Sequence, residues 1–464
     1  MSRSKELTKK TLIITIGKVS TQFVTFLLLP LYTTLLSTEE YGTVDLITTL
    51  VQLFIPIVSL MIDQGVFRYL LICENDEDRK KTISSAFFIL VGLSGVVVAI
   101  YILSAILISS TYKVWIVLIF LATMFSNLFL QMARGVNRTT DYTLGSFICS
   151  ASTIVLNVLC IAFFRMGAVG MLIATFIGNL ICCIFLFFKL KIYNYISFNG
   201  FDKKLAIEEL RYSVPLVPNQ LSVWVMNSSD RLIVTFVLGT AANGVLAVSH
   251  KFSAVYLTFY NIFLLAWHEM GAVHYFDEDR DEFFSDMSEK VISIFSTLCL
   301  GIMVVLPIVF CWIVNSNYHE AYYNIPVYLV ASLFNVVVGL LGVVYVATKK
   351  TAEIAKTTII SAIINILVNV ILIKFIGIYA ASISTFVGYL VTMIYRIHDT
   401  RKYLNIKYNI KQYLLIVVAL IVCSVIYYLE NLMVSLVFLP LFVLVALWVN
   451  KNILKEMLVY IKKK

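Results

Sequence analysis

Ala168-Val-Gly-Met-Leu-Ile-Ala174-Thr-Phe-Ile-Gly178-Asn-Leu180-Ile-Cys-Cys-Ile-Phe-Leu-Phe-Phe188 runs for 21 residues without a charge. A helix of about 20 mainly apolar residues crosses a bilayer, so this stretch alone points to a membrane chain. Its middle also recurs. Ala174-Thr-Phe-Ile-Gly178-Asn-Leu180 pairs with Ser384-Thr-Phe-Val-Gly388-Tyr-Leu390 at an offset of 210, and Asn157-Val158 pairs with Asn369-Val370 at 212. Upstream, Ser146, Ser150, Thr153 and Asn157 align with Thr358, Ala362, Asn365 and Asn369 at helical spacing. A third match, Leu36-Ser-Thr38-Glu-Glu-Tyr-Gly42 with Leu238-Gly-Thr240-Ala-Ala-Asn-Gly244, lies at an offset of 202.

Working outward, windows of spanning length fall near 11–36, 42–72, 82–109, 113–133, 143–164, 168–188, 214–238, 244–270, 291–314, 325–347, 357–376, 378–396, 413–429 and 432–450. The expected fold is an all-α polytopic membrane protein of about 14 transmembrane helices, by the length rule for spans. The shortness of 413–429 leaves an interfacial hairpin as the alternative for the last pair. An offset near 200 residues covers six spans, and an even number restores the starting side. Two parallel six-helix lobes are expected, at 1–195 and 196–396, with a two-helix extension at 397–464 and a central cleft between the lobes.

Composition agrees. The chain of 464 residues is 60% apolar and 14% charged, whereas soluble domains carry roughly a quarter charged residues. Cys73, Cys149, Cys160, Cys182, Cys183, Cys299, Cys311 and Cys423 show no metal-ligand spacing and read as small packing residues. With the N-terminus inside, 29 of the 36 Lys and Arg fall on the tails and even-numbered connections. Lys113, Arg165 and Lys374 fall on the other side, and Lys18, Arg68, Arg231 and Lys251 within spans. Positive residues stay on the cytoplasmic face, so both termini are expected there. The net charge of +9 then reflects topology and anionic lipids, and requires no nucleic acid. The outer connections are short, leaving no expected extracytoplasmic domain.

Polar residues line particular helix faces. Thr11, Thr15, Lys18, Gln22 and Thr25 share a face of the first span; Asp45, Thr49, Gln52, Pro56, Ser59 and Asp63 share one in the second. The seventh carries Asn219, Gln220, Ser222, Asn227, Ser228, Ser229, Asp230 and Arg231. Hydrocarbon does not tolerate such groups unsatisfied, so these faces meet protein or water. Interhelical hydrogen bonding accounts for the uncharged ones without any transport role. Charges cost roughly 2.5–3.5 kcal/mol at a helix centre on insertion scales. Lys18, Arg68, Arg231 and Lys251 therefore suit an anionic, phosphate-bearing substrate, since guanidinium and ammonium groups in a wet, low-dielectric cleft bind phosphate oxygens strongly. Gln22, Gln52, Asn219, Gln220 and Asn227 are expected to contact the same substrate. Asp45, Asp63, Asp230 and Glu269 are candidates for coupling to H+ or Na+, with Arg231 or Lys251 as a structural partner for Asp230. Gly17-Lys18 lacks the first glycine of a phosphate loop, and Ala272 replaces the second histidine that His268-Glu269 would need in a zincin. No cofactor is expected.

Leu29-Pro-Leu-Tyr-Thr-Thr-Leu-Leu-Ser-Thr-Glu-Glu-Tyr-Gly42, Gly65-Val-Phe-Arg68, Ala133-Arg-Gly-Val-Asn-Arg138 and Ser228-Ser-Asp-Arg-Leu232 continuing to Gly244 and Lys251 resemble the polysaccharide exporter (Wzx-type) branch of the multidrug/oligosaccharidyl-lipid/polysaccharide superfamily. The resemblance implies a MATE- or MurJ-like fold. It also implies a non-enzymatic flippase that moves undecaprenyl-pyrophosphate-linked oligosaccharide across the bacterial inner membrane by ion-driven alternating access, for surface polysaccharides such as O-antigen. Implied partners are that lipid-linked oligosaccharide, membrane lipids, the coupling ion and a glycan polymerase. The alternatives are a cation or drug antiporter of the same superfamily, which calls for a cavity of carboxylates and aromatics, and a membrane glycan polymerase or glycosyltransferase, which calls for a large outer loop.

Overall fold

A computed structural model describes residues 26–107, 112–451 and 455, without the side chains at 104–107, 269, 272 and 351. Lys18, Gln22 and most of the first expected span lie outside the described residues. The chain is all-helical there. α1 (Leu29–Leu35) closes the first window, and the second divides into α2 (Thr38–Ser59) and α3 (Ile62–Leu70). Next come α4 (Asp76–Leu107), α5 (Lys113–Gly135), α6 (Thr139–Asn157), α7 (Gly167–Lys189) and the short, charged α8 (Lys203–Ser213). α9 (Val217–Leu238), α10 (Thr240–His274), α11 (Arg280–Ile313), α12 (Ala321–Ala347), α13 (Thr351–Ile376) and α14 (Tyr379–Thr400) follow, and α15 (Ile410–Tyr428) and α16 (Leu432–Val449) end the series.

Among the described residues, twelve helical stretches are long and apolar enough to cross a membrane. α10, with 35 residues, covers the eighth expected window in addition. α15 and α16 are unbroken helices of 19 and 18 residues, both among the twelve, which favours two spans over an interfacial hairpin.

Two compact units, Met1–Ser228 and Ser229–Lys464, divide the chain inside α9. The segments paired by sequence take corresponding places in each. The Leu36–Gly42 motif starts α2: the Glu40 N–H donates to Ser37 Oγ at 3.1 Å while the Ser37 N–H donates to Glu40 Oε2 at 3.0 Å. This reciprocal cap satisfies backbone donors that a helix N-terminus leaves open. Its counterpart, Leu238–Gly244, starts α10 with Gly239 at the cap, where φ of +94° suits a residue without Cβ. Gly42 and Gly244 are both buried.

The stronger repeat is a pair of helix crossings. A Cβ on Gly178 of α7 would stand 3.0 Å from the Cys149 carbonyl oxygen and would also meet Thr153 on α6. A Cβ on Gly388 of α14 would stand 3.3 Å from the Ser361 carbonyl oxygen and 3.6 Å from Asn365 Cβ on α13. Cys149 and Thr153 are the residues that the 212-residue offset maps onto Ser361 and Asn365. Small residues let membrane helices approach closely, so the recurrence in sequence is a recurrence of backbone contact.

The extension is fastened to the second unit at both ends. Tyr322 and Tyr427 stack with ring centroids 4.1 Å apart, and each hydroxyl donates to the other's carbonyl oxygen, at 2.9 and 2.8 Å. At the opposite end Ser293 Oγ donates to Asn450 Oδ1 and Asn450 Nδ2 donates to Thr297 Oγ1, both at 2.9 Å. Arg396, grouped by sequence with the cytoplasmic charges, is buried against protein: Nη1 donates to the Val338 carbonyl at 2.8 Å and Nη2 to Thr357 Oγ1 at 2.7 Å. All eight cysteines are free thiols, five of them buried, in keeping with packing roles.

Candidate functional site

The first unit holds an open cavity of about 480 Å³. Its walls take Gln52, Pro56 and Ser59 from α2, Asp63 and Gln64 from α3, Thr123, Asn127 and Gln131 from α5, Tyr142 from α6, and Gln220, Trp224, Asn227 and Ser228 from α9. On α5 the three polar residues recur every four positions, and on α9 the lining follows a 3–4 spacing, so each helix turns one face inward. Six of the lining side chains are amides, which offer both donors and acceptors.

Backbone joins the wall. Between α2 and α3, Leu60 and Met61 adopt φ of +50° and +53°, a left-handed conformation unfavourable for residues with a Cβ. Pro56 has already removed one helical hydrogen bond upstream. The Met61 N–H donates to Ser59 Oγ at 3.2 Å rather than continuing the ladder. Irregular backbone at membrane depth persists where it is buried in protein or borders a water-filled space, and Ser59 and Met61 both line this cavity. The continuous span expected over 42–72 is thus broken at the point where the chain meets the void. Trp224 fixes the opposite wall, its Nε1 donating to the Thr49 carbonyl at 3.2 Å.

The second unit holds a closed polar cluster. Asp230 of α9 is 3% exposed, and its Oδ2 lies 2.9 Å from His250 Nε2 of α10 and accepts from the Tyr328 hydroxyl of α12 at 3.1 Å. The His250 and Tyr328 rings are 4.3 Å apart. Oδ1 accepts from the Arg231 N–H at 2.9 Å. Within hydrocarbon such a carboxylate persists only with partners, and two protein side chains supply them.

Of the residues singled out by sequence, Gln52, Asp63, Gln220 and Asn227 meet in the first unit's cavity. Asp63 there accepts from Gln64 Nε2 at 2.7 Å. Arg68 is exposed on α3 and Asn219 exposed on α9, neither lining the cavity, and Asp45 is half-buried on α2 away from it. Arg231 and Lys251 are half-buried in the second unit. The Glu269 side chain, with Lys18 and Gln22, lies outside the described residues. Sequence reading passed over Asn127 and Gln131, whose signal was the four-residue spacing on α5, and His250 and Tyr328. His250 was visible as a lone histidine in an apolar span, but its partner Tyr328 stands 78 positions away.

Comparison with known proteins fits this architecture. A family model described as polysaccharide biosynthesis protein matches residues 7–267. No protein of curated function matches the chain. Among solved structures, the lipid II flippase MurJ in an inward closed conformation superposes with a TM-score of 0.69 at 15% identity, over 96% of this chain and all of that one. An outward-facing multidrug-resistance MATE transporter of the MOP superfamily gives 0.56 at 14% identity, over 85% of this chain and 95% of its own. A MATE transporter in complex with MaL6 gives 0.57 at 14%, with the same coverage. At these identities the likeness is one of fold: a multi-span membrane protein of the MurJ and MATE type. With more than half its length matched by the family model, the chain belongs to the polysaccharide biosynthesis protein family.

Proposed function

We propose that the protein is a flippase that carries an undecaprenyl-pyrophosphate-linked oligosaccharide from the cytoplasmic to the outer face of a bacterial inner membrane, with both termini cytoplasmic. The observation that carries this reading is the amide-walled cavity of the first unit. An unpaired hydroxyl costs roughly 2–7 kcal/mol to bury, so a sugar head needs donors and acceptors along its route. Gln52, Gln64, Asn127, Gln131, Gln220 and Asn227 supply both. A cation antiporter would need a wall dominated by carboxylates, and Asp63 is the single carboxylate among the described residues of this one.

In this scheme Lys18, Arg68, Arg231 and Lys251 serve the phosphates and Gln22 and Asn219 extend the sugar contacts. The Asp230–His250 pair is the strongest of the candidates for ion coupling, ahead of Asp45, Asp63 and Glu269, because it is a titratable pair held in one geometry. An inside-negative potential favours outward movement of the anionic head by about 2.3 kcal/mol per charge per 100 mV. The polyprenyl tail stays in lipid. An apolar crevice of about 340 Å³ among α11, α15 and α16, lined by Leu300, Ala419 and Phe442, offers it a lateral resting place. A glycan polymerase would take up the product.

The test replaces Gln52, Asn127 and Gln220 together by Leu in cells that depend on this gene for surface glycan. Loss of the glycan with the protein still inserted is expected, and charge removal at Arg231 or Lys251 is expected to do the same. Normal glycan in the triple variant would overturn the reading.

A further inference from the structure

We propose that Arg134 is an anion-binding residue at the margin of the first unit's cavity, which takes a phosphate of the lipid-linked substrate. This rests on the flippase reading given above and adds to it a contact made by none of the four cations discussed there.

Two motifs far apart in sequence meet at this point. Gly65–Arg68 lies on α3 and Ala133–Arg138 begins in the last turn of α5. Their contact needs Gly135, where a Cβ would stand 2.7 Å from Leu70 Cβ and 3.3 Å from the Phe67 carbonyl oxygen. That close approach brings the Arg134 guanidinium carbon 4.5 Å from the Phe67 ring centroid, while the Tyr142 ring of α6 lies 5.5 Å away. Nη1 donates to Gln131 Oε1 at 3.0 Å. The guanidinium is thus oriented by two aromatic faces and one amide, an arrangement that fixes a planar cation.

What it lacks is a carboxylate. Arg79, Arg138 and Arg280 each meet an Asp, whereas among the described residues no acid pairs with Arg134. An arginine held in place by rings and an amide, with its charge uncompensated and N–H groups to spare, suits an oxyanion. Two of its three supports, Gln131 and Tyr142, are cavity-lining residues, and Asp63 and Gln64 enter the same wall from the helix that carries Phe67. A head group whose sugars contact the amides would leave its phosphate at this margin. In the proposed orientation the end of α5 faces the cytoplasm, so Arg134 would meet the phosphate as the substrate enters.

A phosphate at this position comes either from the substrate or from an anionic bilayer lipid, and the test separates them. Purified full-length protein in detergent is titrated with radiolabelled farnesyl pyrophosphate, with farnesol as the uncharged control. Arg134→Gln should weaken pyrophosphate binding at least tenfold and leave farnesol binding alone; Arg134→Lys, which keeps the charge but not the planar fork, should lose less. Displacement of the probe by inorganic pyrophosphate but not by phosphatidylglycerol identifies the substrate's phosphate. Displacement by phosphatidylglycerol identifies a lipid headgroup and overturns the assignment to substrate. In the unaltered protein, phenylglyoxal modification of Arg134, read by mass spectrometry, should be slowed by farnesyl pyrophosphate, which guards against a variant that fails to fold. Equal affinity in Arg134→Gln and the parent, or no protection from phenylglyoxal, would overturn the proposal. If Arg134→Gln binds normally while the triple Leu variant loses surface glycan, only the Arg134 assignment fails. If Arg134→Gln loses binding while the triple variant exports normally, the cavity reading fails instead.

Discussion

The first unit arranges its polar side chains around a void, whereas the second turns them on one another. Gln52, Asn127, Gln131 and Asn227 face an open cavity, beside a helix broken at Leu60 and Met61. Asp230, His250 and Tyr328 form a closed cluster inside unbroken helices. The crossings beneath them are nevertheless alike, Gly178 of α7 packing against α6 as Gly388 of α14 packs against α13. The two units share the contacts that backbone geometry dictates and differ in their polar side chains, which line a cavity in one and close on one another in the other.

That contrast breaks most easily at its two aspartates. Asp230→Ala strands His250 and Tyr328 in a buried site, and removing one partner of a buried pair costs about 3–5 kcal/mol. Asp63→Ala, next to the cavity with Gln64 as its hydrogen-bond partner, should cost under about 1 kcal/mol. Thermal unfolding in detergent measures both, and equal losses would dissolve the distinction between a closed and an open site.

The glycine crossings come next. Gly178→Val and Gly388→Val should each lose about 1–3 kcal/mol through overpacking. Gly178 should suffer more, because its added Cβ would stand nearer a backbone carbonyl. A smaller effect belongs to Tyr328→Phe, which removes one hydrogen bond to Asp230 and should cost about 1 kcal/mol. Smallest is Met61→Gly, where relief of the left-handed strain offsets lost contacts, so stability should hardly change. Leu53→Gly, in the regular part of α2, should cost about 1 kcal/mol in helix propensity alone.

Much of this was legible in the chain. Apolar windows located the helices because hydrocarbon thickness sets their length, and the recurrence around Gly178 and Gly388 marked real crossings because close approach restricts residue choice. The polar stripe through Gln52 and Asp63, with Gln220 and Asn227, pointed to the cavity for the same reason that hydrocarbon excludes amides. The break at Leu60–Met61 was not legible, since neither residue is a glycine and Pro56 alone does not fix where a helix restarts. Nor were His250 and Tyr328 legible as partners of Asp230, because they approach it through space from α10 and α12. Arg134 stands in the Ala133–Arg138 motif, but its place beside the cavity was not legible, since its aromatic supports Phe67 and Tyr142 lie on two other helices.

The central claim is that the first unit's cavity is wet and accessible, and it is tested most directly by thiol labelling. In a background with all eight native cysteines replaced, Asn127→Cys is treated with a charged, hydrophilic maleimide admitted to both faces of the membrane, with Ile100→Cys on the exposed surface of α4 as the lipid-facing control. The account predicts rapid labelling at position 127 and none at position 100. Equal inertness at both would mean that no hydrated passage exists there, and the flippase scheme built on it would fall.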